Sequence, residues 1–216
     1  MRVKGLPYAQ AGLTFDARDA RALTVATLGT ALGLVALVAL AAALTGRPLA
    51  RSANPVSVVA LALALVSFVG SSAIQRITTQ SFALAASPNR GLSRGGVAFG
   101  VAMFTLAHVQ VPRSPLYLTN VALFGLASTL LFAAPHRPSY ALPLGFHAGW
   151  NWAQVVLLGA PTGTEPNPLT PLRWPAGPSW LFGGVNGLDE GWLFTAALVP
   201  FFALTRWIRR RNLDAP

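Results

Sequence analysis

The feature that most restricts this chain is the length of its charge-free apolar stretches. Ala22–Thr45 and Ser52–Gln75 each run 24 residues without Asp, Glu, Lys or Arg, and Ser114–Pro135 runs 22. About 20 mostly apolar residues, wound as a helix, cross the hydrocarbon of a bilayer. A water-facing surface could not be covered here, because only 10% of the 216 residues are charged where soluble domains carry about 25%. The fold class that follows is all-α, a polytopic membrane bundle. Gly95–Pro112, a segment from about Tyr140 to Gly159, and Glu190–Arg206 bring the expected number of spans to about six. The last is short and can borrow residues from Trp180–Leu188. Ile77–Ala86 reads as a continuation of the second helix or an interfacial segment. Thr162–Pro178, rich in Pro, Gly and Thr, reads as a loop.

Charge orients the spans. The chain carries 16 Lys and Arg against 6 Asp and Glu. With the N-terminus in the cytoplasm, twelve of the basic residues fall inside and four outside, namely Arg47, Arg51, Arg113 and Arg173. That is a positive-inside distribution. It divides the chain into a cytoplasmic N-terminal segment (1–21), a membrane domain (22–206) and a basic cytoplasmic tail (207–216), with both termini cytoplasmic and the lipid bilayer as the first partner. The same distribution excludes nucleic acid as a partner, since the arginines sit between apolar segments without a nucleic-acid-binding signature. The first apolar core begins after 21 residues and is longer than the roughly 7–15 residues of a cleaved signal. The chain has no cysteine, which excludes disulfides, thiol catalysis and thiolate-bound zinc.

Polar side chains at membrane depth are costly unless paired or functional. Two pairs stand out: Phe104-x-x-x-His108 and His147-x-x-x-Asn151. A spacing of four puts both members on one helical face. These are two of the three histidines. The third, His136, lies in Pro135-His136-Arg137-Pro138 and reads as a solvated loop residue. A lone membrane histidine reads equally as a packing residue hydrogen-bonded to a neighbour; beside His147, Asn151 one turn away and the small Ala148 and Gly149, which permit close helix approach, favour a site instead.

The two pairs resemble the second and last motifs of the CPBP intramembrane proteases, the family of CAAX prenyl endopeptidases and bacteriocin-processing proteins. The likeness continues into Trp152 and Gln154 and runs over residues 10 to 205. It implies a bacterial inner-membrane endopeptidase acting on a peptide or membrane-protein substrate. The catalytic positions would be His108, His147, Asn151 and Arg76, with His108 and His147 as ligands of a metal such as zinc. The family's first motif, Glu-Glu-x-x-x-Arg, falls on Ser71-Ser72-Ala73-Ile74-Gln75-Arg76, so Ser71 and Ser72 stand where the glutamates would be. In the family a glutamate of that motif is thought to activate water. Peptide hydrolysis near neutral pH needs such a proton acceptor. Two histidines and an asparagine also lack an anionic ligand and would hold zinc weakly.

The expectation is therefore a CPBP-like fold with a polar pocket of His108, His147 and Asn151 near the Arg76 end of the second helix, and with proteolysis lost or impaired. A non-enzymatic membrane protein that binds a peptide or partner, and a small-solute transporter with chance motifs, stay open beside it. Arg76 reads equally as a cytoplasmic flank of its helix. Glu190, in the Gly-rich stretch Gly183–Gly191, reads as part of a helix start; it is also a carboxylate that could reach the site from the last helix.

Overall fold

The computed structural model describes residues 15–53, 56–81, 94–109, 114–133, 139–161 and 170–213, with the backbone alone of 2–3 and 6–7. Most of these residues are helical: α1 (Ala17–Leu44), α2 (Val58–Arg76), α3 (Arg94–Leu106), α4 (Pro115–Ala133), α5 (Ala141–Asn151), α6 (Ser179–Phe182) and α7 (Trp192–Leu213). Among them three stretches are long and apolar enough to cross a membrane, Ala17–Leu44, Val58–Thr79 and Pro115–Phe132. α3 and the Trp192–Trp207 part of α7 are shorter apolar helices. Two small antiparallel ribbons complete the described elements: β1 (Arg2–Val3) with β2 (Leu6–Pro7), and β3 (Ala50–Arg51) with β4 (Leu172–Arg173).

Several boundaries differ from the sequence expectation, each for a local reason. α1 starts at Ala17 rather than Ala22 because Asp16 caps it. The Asp16 side chain accepts from the backbone N–H of Arg18 at 2.8 Å and of Asp19 at 3.0 Å, and Asp19 bonds back to the Asp16 N–H. This reciprocal box satisfies donors that a helix start leaves orphaned. α2 starts late, at Val58, because residues 50–51 are taken up by the pairing with 172–173. Part of the expected loop is thus a strand, while residues 162–169 lie outside the described residues. Ile77–Ser81 continues α2 as a π-helical turn, and 82–86 lie outside the described residues. α7 does not borrow from Trp180–Leu188. Gly183 (φ 80°) and Gly187 (φ 59°) turn the chain through the left-handed region, which glycine adopts without a Cβ penalty, and the helix restarts only at Trp192.

The core is organised by α5, which is buried on nearly all sides from Ala141 to Trp150. Its glycine face lies on α1. A Cβ at Gly145 would stand 2.5 Å from the Leu23 carbonyl oxygen, and one at Gly149 would collide with that of Thr27. Backbone therefore touches backbone, as small residues four apart allow. Because 145 meets 23 and 149 meets 27, the two helices run parallel. Ser139 ties their starts together, donating to Asp19 at 2.6 Å and accepting from the Ala141 N–H at 3.1 Å. α4 and α7 run against α5: Phe132 meets Tyr140 while Phe124 meets Phe146, and Phe201 meets Phe146 while Phe194 meets Trp150. α2 is held at its N-terminal half by the Trp152 indole N–H, which donates to the Leu61 carbonyl at 3.0 Å.

The glycine contact gives the first prediction. Gly149→Ala should destabilise the detergent-solubilised protein by about 1–3 kcal/mol, the usual range for forced overpacking. Gly70→Ala on α2, where nothing lies within 4 Å of the added methyl, should leave stability unchanged or slightly raised. Thermal unfolding followed by circular dichroism separates the two. Equal effects would mean that the α1–α5 contact does not carry the core.

Candidate functional site

α5 turns about 100° per residue, so His147, two positions from each packing glycine, points away from α1 and into the bundle. There it meets a pair of stacked rings, Phe104 of α3 and Phe124 of α4, with centroids 6.0 Å apart and planes 20° from parallel. Gly125 makes room for this pair, since a Cβ there would lie 3.0 Å from the Phe104 ring. His147 packs edge-on to both rings at 5.8 and 5.3 Å. His108 lies against Phe104 at 4.6 Å.

Arg76 reaches the same two rings. Its guanidinium carbon is 4.6 Å from the centre of Phe104 and 5.4 Å from that of Phe124. The residue is 0% exposed, which removes its reading as a cytoplasmic flank. Among the described residues, all three guanidinium nitrogens lack a hydrogen-bond partner. Ser72, one helical turn before it and 1% exposed, also has an unpartnered hydroxyl, as does the buried Nδ1 of His147. The two serines of the degenerate motif part company: Ser72 faces the core, whereas Ser71 is exposed and donates to the Phe68 carbonyl at 3.2 Å.

His108 does not share a helical face with Phe104. α3 ends at Leu106, and His108 sits in the turn beyond it, its N–H donating to Thr105 at 2.9 Å. Its ring folds back instead. Nδ1 lies 2.7 Å from the Phe104 carbonyl oxygen, and Nε2 lies 3.1 Å from the Gln75 side-chain nitrogen. A carbonyl can only accept, so Nδ1 carries the proton, and Nε2 then accepts from the Gln75 amide. Both ring nitrogens are engaged. Asn151 shares the His147 face of α5 one turn on and is half-buried, at the junction with the π-helical stretch Trp152–Leu157. Arg76 likewise stands immediately before the π-helical turn Ile77–Ser81. Such turns are frequent where side chains are re-aimed for a site.

This donor set does not fit zinc. The His108 nitrogens are taken, Asn151 is a weak ligand, and a buried guanidinium shares the Phe104 and Phe124 rings with His147. Among the described residues no group of three His, Cys, Asp or Glu could hold a metal ion. Nor does Glu190 reach the pocket. Its carboxylate accepts from the Ser114 N–H at 3.4 Å, at the start of α4. Phe124 stands ten residues further along that helix, about 15 Å of rise. His136 lies outside the described residues.

Sequence reasoning missed Gln75 as the partner of His108, and Ser128 and Gln154 as buried polar groups with an unpartnered oxygen each. It also missed Asn120, whose amide donates to the carbonyls of Asp189 (3.0 Å) and Gly191 (3.2 Å) and accepts from Thr195 (2.7 Å). A polar residue within a charge-free run was the available signal for Asn120 and Ser128.

The Glu190 environment predicts a pH response. Burial alone would raise its pKa, but hydrogen bonds from Ser114 and Asn186 outweigh that and hold it below 4.5. A depressed carboxylate adds stability above its unfolded pKa, and that stability is lost as pH falls through the folded value. The unfolding midpoint should drop on acidification below about pH 4.5, and Glu190→Gln should flatten that part of the profile. An unchanged acid limb in the variant would reject the assignment. No family model, no curated protein and no solved structure matches the chain, so its likeness to the CPBP proteases rests on the motif positions themselves.

Proposed function

We propose that the chain is a non-proteolytic membrane relative of the CPBP endopeptidases, a six-pass protein of the bacterial inner membrane whose core pocket binds a peptide or partner group rather than hydrolysing it. The observation that carries this reading is the identity of the residue facing the pocket at position 72, a serine beside an unpaired arginine. The motif positions Arg76 and His147 meet at one pair of rings, His108 packs on one of them, and Ser72 lies one turn from Arg76 on the same helix, as an inherited site would. The pocket then lacks what hydrolysis needs. No carboxylate bonds to Arg76 among the described residues. His108 has both nitrogens engaged. A proton added to His147 would set two cations against the same rings.

The helix directions support six passes. α1 and α5 run parallel, while α2, α4 and α7 run against α5, the alternation that six crossings with cytoplasmic termini require. Reporter fusions after Arg211 and within Thr162–Pro178 test it. The first should report the cytoplasm and the second the opposite side; a periplasmic signal at the C-terminus would reject the topology.

Purified natural chain should show no endopeptidase activity above a His147→Ala control. The missing base alone commonly costs about 10²–10⁴-fold. Ser72→Glu, alone or with Ser71→Glu, is the informative comparison, and the single Ser72 change should suffice because Ser71 faces outward. Cleavage by the natural chain that His147→Ala abolishes without unfolding the protein would overturn the reading.

A further inference from the structure

We propose that the Arg76 pocket binds a phosphate-type oxyanion, free in solution or carried on a lipid headgroup. The first support is a donor excess at one place. Three guanidinium nitrogens and the Ser72 hydroxyl are buried donors without a partner among the described residues, the His147 Nδ1, a donor or an acceptor by tautomer, is unpartnered there too, and Arg76 and His147 contact the same two rings. The hydroxyl of Ser128, buried and unpartnered as well, lies one turn along α4 from Phe124. A planar guanidinium fork matches two oxygens of a phosphate.

The second support is that the chain satisfies polar groups elsewhere in the same bundle. Asn120 is bonded through both ends of its amide, and Asp19 is tied to Ser139 and to the backbone of Asp16. Among the described residues, Arg76, Ser72 and His147 contribute five of the eight buried unpartnered side-chain atoms, and Ser128, Trp150 and Gln154 contribute one each. The inference goes beyond the non-proteolytic reading and stands without it, because a cluster of donors attracts an anion whatever its ancestry.

The test is thermal unfolding of the purified chain in neutral detergent, with inorganic phosphate titrated against chloride at constant ionic strength. In parallel the chain is reconstituted in phosphatidylglycerol vesicles and in galactolipid vesicles, which carry no phosphate. A saturable rise of roughly 5–10 °C at a hundredfold excess over the dissociation constant is expected in at least one arm. A response to inorganic phosphate identifies a free oxyanion. A response to phosphatidylglycerol alone identifies the lipid headgroup. Arg76→Met should unfold at a higher temperature than the natural chain in anion-free buffer and should lose the response. Ser72→Glu supplies an internal carboxylate one turn from Arg76 and should also lose it, which keeps the test decisive if Arg76→Met does not fold. No response in either arm, or an undiminished response in Ser72→Glu, would overturn the proposal. Neither result bears on whether the chain cleaves peptides, so the two readings fail separately.

Discussion

The close approach of α5 to α1 decides where every other side chain in the core can go. Gly145 and Gly149 lie four residues apart, and any Cβ at either position would strike the backbone of α1 at Leu23 or Thr27. In a bilayer, helices gain little from burying apolar surface against each other, so packing at this distance is a main source of cohesion. The glycine face also fixes rotation. With 145 and 149 turned to α1, His147 must face the opposite side, and Phe146 and Trp150 must face α4 and α7. The aromatic contacts of Phe146 with Phe124 and Phe201, and of Trp150 with Phe124 and Phe194, follow from that rotation. The position of His147 in the pocket is therefore a consequence of two glycines that never touch it.

The polar groups inside the bundle fall into two kinds. Asn120 and Asp19 are bonded at every turn and join elements: Asn120 holds the Asp189–Gly191 turn to α4, and Asp19 holds the start of α5 to α1. Arg76 is the other kind. An unpaired ion taken out of water costs several kcal/mol even after relaxation, and each desolvated cation–π contact recovers about 2 kcal/mol. The two rings at 4.6 and 5.4 Å thus offset only part of the penalty. A charged group kept at such a cost, when Asn120 and Asp19 in the same bundle are bonded, points to a use for it.

Much of this was legible in the sequence, for physical reasons that differ by element. The long charge-free runs mark α1, α2 and α4, because the bilayer imposes length and apolarity together. His147 was legible because Asn151 stands one turn away and the segment through Trp152 and Gln154 resembles a family motif. His108 was found through the wrong geometry: the four-residue spacing suggested a shared helical face, but α3 stops at Leu106, and the ring reaches Phe104 by folding back from a turn. Periodicity cannot show where a helix ends when no proline or glycine marks the place. The sequence left Arg76 open between a motif position and a flank of its helix. Only the packing of Phe104 and Phe124 over it reveals a buried cation. The split between Ser71 and Ser72 likewise depends on the rotation of α2, which α5 sets from across the bundle.

One position links the chemistry that is missing to the chemistry that is present. In the CPBP pattern the residues at 71 and 72 are glutamates. A glutamate at 72 would lie one turn before Arg76 on the same face, the order in which a helical acid–base pair is most favourable. It would neutralise the guanidinium and offer a water-activating carboxylate at once. The serine at 72 offers no such base, and no carboxylate bonds to the guanidinium among the described residues. At the end of an apolar helix stands a group of polar side chains, with two aromatic rings against the charge. Under the proposed reading such a pocket would lack the means to break a peptide bond and would have a reason to bind an anion.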